Sequence, residues 1–342
     1  MTEIERLHRG ADLERLPRLL GAPPVTGTIR REPADFIVCE SLAFDLSGSG
    51  EHLYLLVRKT GQNTRWVARQ LARAAGLPPR AVGYAGMKDR HAVTEQWFSL
   101  HLPGRADPRV DGFAIDGVEI LETTRHAGKL RIGALRGNDF RIVIRDLDGD
   151  VGALERRLIN LHDGRVPNYF GAQRFGHSGG NLELIGDLDR PAGLGREARA
   201  FALSALRSAL FNNYLAQRIA TGSVSTPLPG EIVWCGAGQG YRHEPEVRGG
   251  DPAPIPTGLL WGAGRSRATG VALDDEQSFY ARYPAVTRLL AERSLRMQRR
   301  PLLIGPDDLE WHIDADAATL SFSLGRGQFA TAVLRELLVW SG

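Results

Sequence analysis

The chain predicts an α+β fold in which a strand-rich region is interrupted by a helix-rich one. Three observations carry this. Period-two alternation dominates residues 1–150, helical spacing takes over after Asp148-Gly149-Asp150, and strand signals return after Pro301. Strands grouped at both ends, with helices grouped between, belong to α+β proteins rather than to the alternating βαβ class. The expected organisation is a domain of 1–150 plus 305–342 with a second domain, 151–304, inserted. At 342 residues the chain is long enough for both.

The elements follow in order. Segment 27–40 reads as two short strands around Glu32-Pro33-Ala34-Asp35. His52 to Lys59 alternates and is rich in β-formers, so a strand is expected there. Asn63 offers an N-cap oxygen to a helix that runs to about Ala75 and stops at Gly76, with Val67, Leu71 and Ala74 as its stripe. Strands are expected from Val118 to Thr123, from Lys129 to Leu135 and from Phe140 to Arg145. In the last, Phe140, Ile142 and Ile144 share one face. Helical spacing begins at Val151, Leu154, Leu158 and Leu161, and a long helix is expected from Arg196 to Ala220 between Gly195 and Gly222. From Ser223 to Gly270 the chain is rich in Gly and Pro and weakly periodic. A helix from Ala285 to Met297, strands from Leu309 to Ile313 and Thr319 to Leu324, and a helix from Gln328 to Trp340 complete the expectation.

Composition narrows the class of function. Hydrophobic content of 42% and charged content of 24% fit a soluble globular protein. No apolar run approaches a bilayer-spanning length, so no membrane partner is expected. Met1 to Arg15 is charged and lacks an apolar signal core, which points to the cytoplasm. Cys39 and Cys235 lie far apart and read as free thiols in a reducing compartment. With no His/Cys cluster, no metal is expected. The net charge is +3 and the pI about 9.0. Arginine greatly outnumbers lysine, which suits phosphate forks and base stacking; a GC-rich genome produces the same bias.

The most informative run is Val82-Gly83-Tyr84-Ala85-Gly86-Met87-Lys88-Asp89-Arg90-His91-Ala92-Val93-Thr94-Glu95-Gln96-Trp97-Phe98. Glycines let a backbone turn sharply and approach a ligand closely. Cations on both sides favour the charged form of a carboxylate. The arrangement suits a nucleophile or base at a strand end, and equally an ordinary charged turn. In Arg136-Gly137-Asn138-Asp139-Phe140 an amide and an aromatic two residues apart share a strand face. Val166-Pro167-Asn168-Tyr169-Phe170-Gly171-Ala172-Gln173-Arg174-Phe175-Gly176 frames aromatics, amides and an arginine with Gly and Pro, a composition suited to unstacked bases. A fourth run is Arg30-Arg31-Glu32-Pro33-Ala34-Asp35-Phe36-Ile37-Val38-Cys39-Glu40. Gly236-Ala237-Gly238-Gln239-Gly240 lacks the spacing of a dinucleotide-binding loop and reads as a flexible loop rather than an ATP or NAD site.

Together these runs resemble the TruD family of tRNA pseudouridine synthases, from about Arg30 to Leu338. The Gly-x-Lys-Asp-Arg-His-Ala-x-Thr block, the Gly-Asn-x-Phe motif, the Asn-Tyr-Phe-Gly-x-Gln-Arg-Phe-Gly loop and the Pro-x-Asp-Phe-x-Val-x-Glu segment are the landmarks. The resemblance implies a pseudouridine-synthase-like catalytic domain with a mixed, largely antiparallel sheet and an inserted TRUD-type domain. It implies isomerisation of uridine at position 13 of tRNA, with tRNA-Glu as the expected partner, no cofactor, and a monomer. It places catalysis on Asp89, base stacking on Phe140 and substrate positioning on Asn138. It sets Arg30, or alternatively Arg31, beside the aspartate, and Phe36 along the pocket. Lys88, Arg90 and Arg174 are the candidate phosphate contacts, with His91 secondary. The competing expectation is a non-catalytic RNA-binding protein or tRNA chaperone on the same fold.

Overall fold

A computed structural model describes residues 3–176, 179–187, 194–236, 239–244, 253–293 and 295–341. In chain order the elements are α1 (Glu3–Ala11), β1 (Val25–Ile29), β2 (Phe36–Leu42), β3 (His52–Thr60), α2 (Thr64–Ala74), β4 (Val82–Tyr84), β5 (Val93–His101), β6 (Val118–His126), β7 (Leu135–Gly149) and α3 (Val151–His162). There follow β8 (Val166–Pro167), α4 (Gly180–Glu183), α5 (Arg196–Ala220), β9 (Ile232–Trp234), β10 (Tyr241–His243), β11 (Ile255–Leu260), α6 (Gly270–Tyr280) and α7 (Pro284–Glu292). The last are β12 (Gln298–Pro301), β13 (Leu303–Ile304), β14 (Asp307–Ile313), β15 (Ala317–Gly325), α8 (Ala330–Leu337) and β16 (Leu338–Ser341).

The chain forms two compact units. A sheet unit holds Pro23–Asp163, Pro306–Ala330 and Leu337–Gly342; a helical unit holds Met1–Ala22, Gly164–Gly305 and Thr331–Glu336. The sheet unit is built on a mixed sheet in the order β14-β15-β7-β2-β5-β3-β6, with β1 and β16 extending from β7 and β4 paired to β5. Two pairings are parallel, β2 with β5 and β1 with β16, and the rest antiparallel. The inward row Leu53, Leu55 and Val57 of β3 packs on Val67 and Leu71 of α2, as the amphipathic stripe of that helix predicts. Asn63 caps α2 by accepting from the Arg65 N–H.

The helical unit is organised by α5, whose Leu206, Leu210, Phe211 and Leu215 are fully buried. A β-carbon on Gly10 would come within 2.2 Å of the Ala209 carbonyl, so only glycine lets α1 approach α5 this closely. Asn212 and Asn213 of α5 then donate to the carbonyls of Gly10 and Arg6. This explains why the N-terminal residues join the helical unit, whereas 1–150 was expected to form one domain. The unit boundaries fall at 163/164 and 305/306 rather than near 150, because α3 packs on β14 and His162 Nδ1 lies 3.3 Å from the Leu309 carbonyl.

Three elements differ from expectation. Residues 129–134 form no strand: Ala134 N–H closes a turn on the Arg131 carbonyl, and the Leu130 N–H is taken by Ser99 Oγ. The expected helix from 285 to 297 ends at Glu292; Gln298–Pro301 instead pairs with β11 as β12. The final helix stops at Leu337, and Leu338–Ser341 pairs with β1. An apolar run such as Leu337-Leu338-Val339-Trp340 reads equally as helix or strand until a sheet edge is available. In the weakly periodic stretch, Gly236 and Gly240 belong to the turn joining antiparallel β9 and β10, not to a strand-to-helix unit; Ala237 and Gly238 lie outside the described residues.

Candidate active site

The loop between β4 and β5 carries Asp89 and has no regular structure of its own. A segment without internal hydrogen bonds needs partners elsewhere, and here buried side chains from separate elements supply them. Gln96 of β5 donates to the Gly86 carbonyl at 2.8 Å. Thr64, the first residue of α2, accepts from the Lys88 N–H at 3.0 Å and donates to Gln96 Oε1 at 2.9 Å. Glu40 of β2 accepts from Lys88 Nζ at 2.6 Å and from the Trp97 N–H at 3.3 Å. Lys59 of β3 donates to the Asp89 carbonyl at 2.9 Å. The loop is thus pinned at Gly86, Lys88 and Asp89 by side chains that are themselves held by neighbours.

The Asp89 carboxylate meets Arg30 just past the end of β1: Nη2 to Oδ2 is 2.9 Å, with the two side chains 18% and 33% exposed. Arg31, the alternative, pairs instead with Asp146 on the surface. Arg30 has φ 58°, a left-handed conformation that a branched or long side chain adopts only when its surroundings enforce it. Its guanidinium lies over the Phe36 ring, 4.1 Å from the centroid. The segment leading into Phe36 is anchored by Asp35, which takes a bidentate fork from Arg145 at 2.7–3.0 Å and accepts the Glu32 N–H at 3.0 Å. Those bonds, the Arg145 one first, hold the Asp35 carboxyl below its ordinary pKa against the opposing effect of burial.

Sheet register places the rest. Lys59, Thr94, Val38, Phe140 and Phe322 are consecutive partners across β3, β5, β2, β7 and β15, so they share one face. Phe140 stacks on Phe322 at 5.5 Å and meets Phe36 edge-on at 6.3 Å; it is 9% exposed. Asn138, two residues before Phe140, lies on the same face opposite Glu40. Its Oδ1 is buried without a hydrogen-bond partner among the described residues, which makes it an acceptor available to a ligand. A β-carbon on Gly137 would meet the Leu324 carbonyl at 2.4 Å, so glycine there lets β7 carry Asn138 against β15.

Five expected residues therefore come together: Asp89, Arg30, Phe36, Asn138 and Phe140. Lys88 is beside them but turned inward; its ammonium is spent on Glu40, with that pair 8% and 0% exposed, so a phosphate contact through Lys88 is not what this geometry offers. Arg90 is exposed, with Nε donating to the Gly61 carbonyl. Arg174 belongs to the helical unit, where Nη1 donates to Ser204 Oγ at 3.1 Å and burial lowers its pKa. Sequence reasoning missed Lys59, Thr64 and Gln96 as loop anchors. One signal was present for Lys59: a lysine continuing the inward row Leu53, Leu55, Val57 is out of place unless something buried needs it.

Chemically the site presents a partly exposed carboxylate on a fixed main chain, a guanidinium bonded to it, a free amide oxygen, and an apolar aromatic floor. That set can hold a planar heterocycle and attack or deprotonate a carbon near it. Among the described residues no group of His, Cys, Asp and Glu is arranged to hold a metal ion, and no helix is long and apolar enough to cross a membrane.

Comparison with known proteins gives a consistent result. The family model for tRNA pseudouridine synthase D (TruD) matches residues 13–188. The tRNA pseudouridine synthase D of Aeromonas salmonicida is 41% identical over 333 residues, covering 95% of this chain and 94% of that protein. Those of Methylococcus capsulatus and Pseudomonas putida are 42% and 41% identical, covering 94% and 99% of this chain and 94% and 96% of theirs. A crystal structure from Methanosarcina mazei assigned to tRNA pseudouridine synthase D (TruD) superposes with a TM-score of 0.69 at 20% identity, over 94% of this chain and 95% of that one, which shows the shared α+β fold. With these relatives matched along nearly its whole length, the chain belongs to the TruD family of tRNA pseudouridine synthases.

Proposed function

We propose that this protein isomerises uridine to pseudouridine in tRNA, at position 13, with Asp89 as the reacting carboxylate. The reaction breaks the N1–C1′ bond, forms a C5–C1′ bond, removes the C5 proton and leaves a proton on N1. Nothing is oxidised and no group leaves the nucleoside, so the chemistry asks for no cofactor. The observation that carries the reading is the Asp89 loop: its main chain is bound on both sides of Asp89 while the carboxylate stays a third exposed beside Arg30. A carboxylate so held serves as a nucleophile at C1′ or as a base at the 2′ position. Arg30 holds the carboxylate by a hydrogen bond in either role.

In this reading Asn138 Oδ1 accepts from the uracil, and Phe36 and Phe140 form the wall on which the base rests. Extruding a base from its stack costs a few kcal/mol, which such contacts offset. Arg90 and Arg174 are the proposed phosphate contacts, and Lys88 takes the part of a framework residue. The protein acts as a monomer, with tRNA-Glu among its substrates.

The test uses purified protein and unmodified tRNA transcripts. Pseudouridine is mapped by carbodiimide modification and primer-extension stops. A new stop at position 13 supports the reading. A stop elsewhere overturns the assigned position, and no stop on any transcript overturns the activity.

A further inference from the structure

Lys59 is 0% exposed, yet it carries an ammonium group. A buried charge is costly unless it is paired or well hydrogen-bonded. The hydrogen bonds of Lys59 run to main-chain carbonyls, Gln62 at 2.8 Å and Asp89 at 2.9 Å. Filling the space would need only an apolar residue, as Leu53, Leu55 and Val57 do along the same row. What Lys59 adds is a fixed grip on the residue whose side chain reacts. Thr64 holds the main chain one residue earlier, at the Lys88 N–H. Between these two bonds the Cα of Asp89 has little freedom, and so the direction of its carboxylate is set.

We propose that Lys59 is a positioning residue for the isomerisation: it holds the Asp89 carbonyl from inside the sheet and thereby aims the Asp89 carboxylate at Arg30 and the bound ribose. The proposal rests on the reading of Asp89 given above. It follows from catalysis being sensitive to placement, where a shift of about 1 Å can cost about 10²-fold in rate. The charged groups facing Lys59 are Asp89 and Lys88, both in the loop. Its register neighbours, Thr94 on β5 and Val118 on β6, do not titrate. Burial pushes the Lys59 pKa down to about 8, with Asp89 opposing that shift and Lys88 adding to it. Its grip therefore weakens on the alkaline side.

The experiment compares wild type, Lys59→Met and Lys59→Arg by single-turnover pseudouridine formation on a tRNA transcript, tRNA Kd, melting temperature, and a rate profile from pH 6.5 to 9.5. Lys59→Met is expected to lose about 10²-fold in rate, with Kd within about threefold and the melting temperature little changed, since relief of the buried charge offsets the two carbonyl hydrogen bonds that are lost. Lys59→Arg, which keeps a charge and donors, is expected to recover part of the loss. The wild-type rate falls above pH 8, and the Lys59→Arg rate does not. A Lys59→Met rate within threefold of wild type overturns the proposal, as does a loss that merely tracks unfolding. If Lys59→Met does not fold, the pH profile decides: an alkaline fall shared by wild type and Lys59→Arg overturns it. Should wild type form no pseudouridine at all, it is the functional reading that fails, a result distinct from active wild type with indifferent Lys59 variants.

Discussion

The sheet unit and the helical unit both bury ion pairs, but they finish them differently. In the helical unit Arg218 and Glu231 are each 1% exposed. Arg218 donates to Glu231, to the Tyr214 hydroxyl and to Ser223, while the Glu231 oxygens also accept from the N–H groups of Leu228 and Thr257. The network ties the end of α5 to the loop before β9 and, through the Tyr214 hydroxyl, to Asp275 of α6. In the sheet unit the Lys88–Glu40 pair is nearly as buried, but the polar framework it belongs to leads outward to Asp89 and Arg30, which remain partly exposed. A count of buried charges would rank the two regions together. What separates them is where they lead: one joins helix, loop and strand of its own unit, and the other leads to a partly exposed carboxylate near an amide oxygen that has no partner among the described residues.

The sharpest way to break that comparison is Asp89→Asn. It keeps the shape and a hydrogen-bonding partner for Arg30 but removes the nucleophile or base. We expect isomerisation to fall at least about 10³-fold, roughly 4 kcal/mol of barrier, with tRNA affinity within a few-fold by filter binding. Full activity in this variant would mean that the exposed end of the network is not the reacting group. The mirror experiment is Arg218→Met in the helical unit, which strands Glu231 as an unpaired buried charge. It is expected to cost about 3–5 kcal/mol of stability in denaturant unfolding. The rate per folded molecule at saturating tRNA should stay within about threefold. An Arg218→Met protein as stable as wild type would show that the helical-unit network does not stabilise the fold.

Much of the open site was legible because its residues obey local rules. Phe140 and Asn138 share a strand face by period-two alternation, and the structure keeps them on one face through the pairing of β7 with β2. Asp89 was singled out by its flanking glycines and cations. The framework behind it was not legible, because its partners are remote: Lys59 lies 30 positions from the carbonyl it holds, and Glu40 lies 48 from Lys88. Periodicity describes which way a side chain points, not which distant atom it meets. The same limit explains β16 and α1. The last apolar run becomes a strand because β1 offers an edge. The first helix joins the helical unit because Gly10 fits against the Ala209 carbonyl.

A smaller effect separates wall from core within the sheet unit. Phe140 and Phe322 stack on each other, and each is nearly buried, so truncating either removes the aromatic pair they share, worth about 1 kcal/mol. Only Phe140 also meets Phe36, the ring that carries Arg30. Phe140→Leu is therefore expected to raise the barrier to turnover by about 1–3 kcal/mol if it supports the target base. Phe322→Leu should give a similar stability loss with a clearly smaller change in turnover. Equal effects on turnover would reduce Phe140 to packing alone.

The least effect is a pH dependence of stability that arises in the open framework. Burial lowers the Lys59 pKa from 10.5 to about 8 in the folded protein. Between those values the unfolded chain binds more protons than the folded one, so stability rises with pH. The penalty for the buried charge is fully present below pH 8 and is relieved above it. From pH 8 to 9.5 the gain is about 1–2 kcal/mol, readable as an increasing denaturant midpoint. Above pH 10 the sign reverses, because burial raises Cys39 to about 11 and Tyr54 to about 12, and the unfolded chain then loses those protons first. Lys59→Met should abolish the rise while leaving the fall above pH 10. A rise that survives in Lys59→Met would mean that the Lys59 ammonium is not held charged inside the sheet, and the grip on Asp89 would have to come from its remaining bonds.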